Sequence, residues 1–320
     1  MMSPLLNATF AFALGAAVCA FVIPVVIAAQ QRRAMGQQIY EDGPRSHAAK
    51  QGTPTLGGLA FVAAAAAALV AHFSISDLTL GCLLTAAGTI GFADDLLILR
   101  KRRALGLRAR TKSVLLLVAA IAFIWWIART RPDHAAQAWF GHVVMLPQWL
   151  WAVLAVLAIN GSAHAVNLTD GLDGLAAGTV VAPLAVLAYA SSDTLVTAVL
   201  GGCFAFLWFN RHPARIFMGD TGSLALGALL AGAAVQANMI LVLPLLGAVF
   251  VAEALSVIAQ VASFKTTGKR ILKMSPLHHH FELCGFSESK VTSVMIAASF
   301  CAACSTWLGL LLSNSRGLAR

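Results

Sequence analysis

The chain has 320 residues, of which 59% are hydrophobic and only 11% charged. Soluble domains carry about 25% charged residues, so this composition excludes a water-soluble globule and specifies an integral membrane protein. Its 22 Lys and Arg against 13 Asp and Glu leave a formal charge of +9, but no soluble basic domain exists to carry it, so nucleic acid is not an expected partner.

Apolar runs recur at about the 20 residues that a helix needs to cross a bilayer. Strict period-two alternation is absent, which argues against a membrane β-barrel. The fold expected is all-α and polytopic, a single membrane-embedded domain with about ten transmembrane helices. In chain order the spans read 4–29, 54–72, 78–98, 112–130, 148–166, 174–190, 194–210, 221–236, 239–262 and 291–312. No positive residue precedes the first, and it exceeds a signal-peptide core in length, so it reads as a retained helix. The ninth carries Glu253 and Gln260 and is expected to leave the membrane as an amphipathic end.

The basic residues orient these spans. With both termini outside, the inner segments are 30–53, 99–111, 167–173, 211–220 and 263–290. Counting Lys112 with them, they hold 18 Lys and Arg, against four outside: Arg129, Arg131, Arg316 and Arg320. That asymmetry places the first set in the cytoplasm, facing anionic lipid and an anionic substrate. The outer loops read as short and featureless. Trp125, Trp126, Trp149 and Trp151 fit an outer aromatic belt, and His72, His134 and His142 near them read as structural or solvated. The six cysteines read as small hydrophobes, with no structural disulfide expected.

Five carboxylates stand in three short motifs at span ends, all on the inner face. Carboxylates are costly at a membrane boundary, so a cluster points to a cation or a reaction. In GFADD, Asp94 and Asp95 diverge by about 100° on a helix. One can hold Mg²⁺ while the other orients a lysine or acts as base. In NLTDGLDG, Asn167, Asp170 and Asp173 sit on a tight polar turn that can accept hydrogen bonds from a uracil or a sugar amide, or bind a metal. The remaining ligands of a calcium loop are missing. In FMGD, Asp220 opens a helix whose N-terminus favours phosphate, with Phe217 placed to stack on a base and Asn210 upstream as an amide ligand. In SPLHHHFE, His278, His279 and His280 lack zinc spacing and suit hydrogen bonding to phosphate oxygens. Lys50, in KQGTPT after the Gly43–His47 stretch, suits a diphosphate, although the Walker order is absent.

Taken together and in this order, these motifs resemble the polyprenyl-phosphate N-acetylhexosamine-1-phosphate transferase superfamily, over residues 37 to 312. DGPRSHAAKQGTPTLGG at 42–58 and MSPLHHHFELCGF at 274–286 are similar to its phospho-N-acetylmuramoyl-pentapeptide transferase branch. The resemblance implies ten helices with both termini outside, in the bacterial cytoplasmic membrane with the site facing the cytoplasm. It implies transfer of phospho-MurNAc-pentapeptide from UDP-MurNAc-pentapeptide to undecaprenyl phosphate, giving lipid I and UMP, with Mg²⁺ as cofactor, and allows a homodimer. By that resemblance Asp220 is the metal carboxylate. Asp94 and Asp95 are the catalytic pair, and Asp220 and His278 join them in catalysis. Lys50, Lys112, Asn167, Asp170, Asp173, Asn210, Phe217 and His278–His280 surround the nucleotide and diphosphate.

Two positions depart from that pattern: Ile98 stands where relatives place a lysine three residues after the doublet, and Tyr40 where they place an arginine. These departures leave room for a divergent paralogue. A transferase using another UDP-sugar is the nearest alternative. A secondary transporter is a more distant one, since its polar groups would cluster near the midplane. Either direct attack by the lipid phosphate or a covalent phospho-aspartate fits the residues.

Overall fold

The computed structural model describes residues 4–32, 36, 50–101, 106–131, 136–139 and 142–317. Tyr40, Gly43–His47 and His134 lie outside these. In chain order the elements are α1 (Pro4–Arg32), α2 (Leu59–Ala71), α3 (Ile75–Lys101), α4 (Ala109–Thr130), β1 (Ala136–Trp139) and β2 (His142–Met145). They continue with α5 (Gln148–Thr169), α6 (Leu175–Ser191), α7 (Thr194–Asn210), α8 (Gly219–Gln236) and α9 (Leu243–Leu246). The last are α10 (Ala248–Thr267), α11 (Leu277–Leu283) and α12 (Glu288–Gly317).

The protein is an all-α membrane protein. Among the described residues, six helices are long and apolar enough to cross a membrane: α1, α3, α4, α5, α10 and α12. The apolar α2, α6 and α7 are shorter, at 10–17 residues. Six cross-capable helices are what length and composition establish of the ten expected spans.

At the centre stands α8, in which every residue from Thr221 to Gln236 is buried. A helix apolar on all sides is a core helix, and this one packs against α3 and α5, with α6 and α2 also touching it. Its small residues permit that density, since small side chains let helix backbones approach closely. A Cβ on Gly227 would lie 2.4 Å from the Ser162 carbonyl oxygen of α5, and one on Gly222 would lie 2.7 Å from the Cα of Gly58. On the far side α1 packs on α7 and α2, while α12 lies along α6.

Three sequence expectations change. The segment between α4 and α5 is not featureless: β1 and β2 form an antiparallel hairpin with Ala136 opposite Met145. β-Branched residues (Val143, Val144) favour that conformation, and Gln137 Oε1 anchors it by accepting the Ile240 N–H at 3.0 Å. Trp151 is not part of an exposed belt. It is fully buried, whereas Trp125, Trp126 and Trp149 are exposed. The ninth span is broken into α9 and α10, with Pro244 in the first turn of α9. Its polar residues face inward. Glu253 is fully buried, and Gln260 Oε1 accepts the N–H groups of Ile271 and Leu272.

Candidate active site

The three helices α3, α4 and α8 meet at one end, and α5 closes the group. Gly91 makes the approach of α3 to α8 possible: a Cβ there would fall 2.1 Å from the Asp220 carbonyl oxygen. That contact brings the doublet of α3 to the first turn of α8. Asp95 is buried, and both its oxygens are engaged. Oδ1 accepts the Asp220 N–H at 3.0 Å, and Oδ2 accepts the Thr221 N–H at 2.9 Å and its hydroxyl at 2.6 Å. Asp95 therefore caps α8 from a neighbouring helix, satisfying N–H groups that a helix start leaves without partners.

Asp94 points elsewhere, as adjacent helical residues must. It accepts the Leu107 N–H and lies 3.5 Å from the Lys112 ammonium. Lys112, from the first turn of α4, donates to Asp220 Oδ2 at 2.7 Å. Asn167, near the end of α5, donates to Asp220 Oδ1 at 2.7 Å and to Ser223 Oγ at 2.9 Å. One turn earlier His164 Nε2 lies 2.8 Å from Ser113 Oγ, the residue beside Lys112. Ile98 stands three residues after the doublet, and the ammonium beside these carboxylates comes from Lys112 on a separate helix.

Asp94, Asp95 and Asp220 can each offer an oxygen within 4.8 Å of the others, an arrangement able to hold a metal ion. Only hard oxygen donors are present, which suits Mg²⁺ or Ca²⁺ over softer metals. If all three carboxylates are ionised, one ammonium leaves two negative charges unbalanced, the charge of one divalent cation. The donor set thus fits the implied metal.

A second cluster forms where the NLTDGLDG turn meets the start of α12. Asp173 Oδ1 accepts from Lys50 at 2.7 Å, and Oδ2 accepts the Ala214 N–H at 3.0 Å and faces His212 Nδ1 at 3.0 Å. Glu288 accepts from Lys50 and from the Asp173 N–H at 2.6 Å. Asp173, His212 and Glu288 form another group with metal-compatible spacing, but the Lys50 ammonium already bridges its two carboxylates. Asn210 serves the backbone here: its Oδ1 accepts the Gly174 N–H at 3.0 Å and its Nδ2 donates to the Ile216 carbonyl at 2.8 Å. Phe217 is half-buried, its N–H donating to the Pro54 carbonyl and its carbonyl accepting the Gly57 N–H.

The histidine triplet divides. His278 is fully buried, its Nδ1 3.2 Å from Glu253 Oε2 and its N–H donating to Glu253 Oε1 at 3.2 Å. Its ring lies on Gly171, where a Cβ would meet Nε2 at 2.3 Å. His279 Nδ1 lies 2.9 Å from Glu282 Oε2, and His280 Nδ1 accepts the Lys273 N–H at 3.1 Å.

Asp170 lies between the clusters. Burial and the charges of Asp220, Asp95 and Asp173 push its carboxyl up to about 8, against the pull of Lys50. Asp173 behaves oppositely. Burial raises it, but the Lys50 hydrogen bond and charge, with the Ala214 N–H and His212, hold it below the usual carboxylate range. A depressed carboxyl stabilises the fold fully above its unfolded value, near 3.9, and loses that contribution as pH falls through the lower folded value. Amide hydrogen exchange over residues 171–175 should therefore quicken as pH drops below about 4 in the wild type, after correction for intrinsic rates. Asp173→Asn should show the faster opening already at pH 7.

The sequence did not single out Glu288, His212 or His164 for the site, and read Glu253 as an amphipathic end. Glu288 carried one usable signal, an acid in the first turn of a helix, where such residues favour the dipole. Pairings separated by 123 to 238 residues, as at Lys50, have no local signature.

Residues 77–238, which include the doublet, the Asp-Gly turn and Asp220, match the family described as Glycosyl transferase family 4. The chain is 46% identical over 316 residues to the phospho-N-acetylmuramoyl-pentapeptide-transferase of Heliobacterium modesticaldum, covering 95% of this chain and 97% of the relative. The proteins of that name from Moorella thermoacetica and Nostoc punctiforme are 45% and 41% identical, over 87% and 91% of this chain and 91% and 85% of theirs. Sharing almost its whole length with these relatives, the chain belongs to the phospho-N-acetylmuramoyl-pentapeptide-transferase family of bacterial membrane transferases.

Proposed function

We propose that the protein transfers phospho-MurNAc-pentapeptide from UDP-MurNAc-pentapeptide to undecaprenyl phosphate, releasing UMP and forming lipid I on the cytoplasmic face of the bacterial membrane. Ten spans with both termini outside accompany this reading, all within a single domain. Its active-site segments are 30–53, 99–111, 167–173, 211–220 and 263–290. The observation that carries it is the convergence of Lys112, Asn167 and Asp94 on Asp220 at the meeting of four helices. Phosphoryl transfer depends mainly on positioning and charge stabilisation, and this group supplies both.

Asp220 is the residue that would hold Mg²⁺; Asp95 has its oxygens committed to α8, and Asp94 is left for the proton. When bound, the ion supplies Lewis-acid polarisation of the diphosphate and charge for the departing UMP. Lys112 contributes a fixed positive charge beside the diphosphate. Asp94 takes the proton of the lipid phosphate. That phosphate's oxygen then forms a bond to the phosphorus carrying the sugar, as the bond from that phosphorus to the bridging oxygen of UMP breaks. Direct attack is the route proposed, with Asp94, the member of the doublet turned toward Lys112, as its base. A trapped phospho-aspartate with retained configuration at phosphorus would overturn this step.

Lys50 and Asp173 are assigned to the nucleotide, with Phe217 stacking on its base and His279 and His280 on phosphate oxygens. His278, being buried, acts by positioning the Asp170–Gly171 turn. The test is UMP release from UDP-MurNAc-pentapeptide with undecaprenyl phosphate. Release should require both substrates, vanish with EDTA and return with Mg²⁺. Turnover of UDP-N-acetylglucosamine in place of the pentapeptide substrate would transfer the chain to a related chemistry. Glu288→Gln should raise KM for the nucleotide roughly tenfold with a smaller change in kcat, because it loosens Lys50 and Asp173 without touching the reacting phosphorus. An unchanged KM would remove Glu288 from the site.

A further inference from the structure

A second site lies at the far end of the same helices. On α3 the doublet stands some 19 residues from Ser76, about 28 Å at 1.5 Å per residue; α4 and α8 likewise run from Lys112 to Arg131 and from Asp220 to Gln236. That separation approaches the roughly 30 Å of a bilayer's hydrocarbon core. There a cavity of about 470 Å³ opens among the ends of α3, α4 and α8 and the α6–α7 turn, with Ser76, Trp126, Arg131, Asp193 and Gln236 on its walls.

Asp193 is the informative residue. It occupies the N-cap position of α7 but makes no side-chain cap bond. The capping is done by Asp77 of α3, whose Oδ1 accepts the Leu195 N–H at 3.1 Å and whose Oδ2 accepts the Thr194 hydroxyl at 2.7 Å. Asp193 is thereby released from the role its position normally assigns. It is only 6% exposed, and its Oδ2 has no hydrogen-bond partner although buried. A buried carboxylate oxygen without a partner costs free energy that a cation can recover. Burial and the nearby Asp77 charge raise its carboxyl above the usual range, against the opposing pull of Ser191, Ser76 and the Arg131 charge. Arg131, on the same wall, donates to the Gln236 carbonyl and brings a guanidinium, the group suited to phosphate. Trp126 is exposed beside it, the kind of side chain that sits at lipid headgroups.

We propose that this cavity binds the headgroup of an ammonium-bearing zwitterionic phospholipid, with the ammonium on Asp193 and the phosphate beside Arg131. A carboxylate and a guanidinium on one wall match a headgroup carrying both charges, whereas an anionic glycerol headgroup offers the carboxylate only neutral hydroxyls and no positive charge.

The test uses the full-length protein, extracted into detergent with equal added phosphatidylethanolamine and phosphatidylglycerol, and native mass spectrometry of the lipids it retains. Wild type should retain phosphatidylethanolamine preferentially. Asp193→Asn, nearly isosteric, should reduce that preference on the order of tenfold, as expected for loss of a charge-assisted contact, while phosphatidylglycerol retention stays unchanged, as does UMP release with undecaprenyl phosphate in detergent free of glycerophospholipid. Equal retention of the two lipids by wild type, or an unchanged preference in Asp193→Asn, overturns the proposal. Should Asp193→Asn melt early, Asp193→Ser with its melting point matched to wild type gives the same readout. Loss of UMP release in wild type would overturn the proposed function without touching this one.

Discussion

Asp220→Asn should lower UMP release by about a thousandfold or more while leaving the protein folded. The Asp220 side chain is about one-fifth exposed, and its contacts run to Lys112 and Asn167 at the site's edge, not into the core. Asparagine keeps the shape, so the apparent melting temperature in detergent should move by no more than a few degrees. The informative comparison is Asp95→Asn. There an amide NH₂ would replace an oxygen that accepts from the first turn of α8, at a buried position. That change should cost about 1–3 kcal/mol in stability as well as activity, so the two variants separate by melting point even where both are inactive. If Asp220→Asn kept a tenth of wild-type turnover, Asp220 would lose its place at the reaction centre. Equal melting of Asp95→Asn and wild type would remove the capping role from Asp95.

Gly91→Ala is expected to act from outside the chemistry. The added methyl would meet the Asp220 carbonyl oxygen at 2.1 Å and the Thr221 nitrogen at 2.5 Å. These are backbone atoms of the central helix, which cannot swing aside as a side chain can, so α3 and α8 must separate. Overpacking of this kind costs about 1–3 kcal/mol. A shift near 1 Å at a reacting centre costs about a hundredfold in rate. Both losses should appear together, as an earlier apparent melt and a fall in kcat. A variant with wild-type melting and turnover would show that the two helices approach less closely than described. Gly161 is the control, since nothing lies within 4 Å of a Cβ there, and its alanine variant should behave as wild type.

How much of this could be read from the residues follows from the range of the interactions involved. The long apolar runs announced membrane helices because a 20-residue hydrophobic stretch is a local property, and the acidic motifs were visible because Asp-Gly steps and a carboxylate doublet are rare in such runs. Which carboxylate does what was not legible. Asp94 and Asp95 are chemically identical, and only the arrival of α8 against Gly91 commits Asp95 to capping. The expectation attached to Ile98 illustrates the same limit. Ile98 leaves that face of α3 without an ammonium, Lys112 reaches the carboxylates from another helix, and no spacing rule relates positions on separate helices. Glu253 misled for a related reason: an acid in an apolar helix reads as a surface residue until its partner, His278, is placed beside it. The break between α9 and α10 falls at Gly247 and was missed because the surrounding hydrophobicity runs on unbroken.

The bridge from Lys50 to Glu288 also bears on biosynthesis. The two residues are 238 positions apart, and Glu288 stands at the start of the last helix. During synthesis the doublet helix, the Asp-Gly turn and α8 all emerge before it. A nascent chain therefore carries the Asp94, Lys112 and Asp220 group some time before it can clamp Lys50 and Asp173, and the nucleotide site proposed for that pair becomes whole only when α12 follows. Chains truncated ahead of Glu288 would be left without that clamp, so the order of emergence from the ribosome itself defers full substrate binding until synthesis is nearly complete.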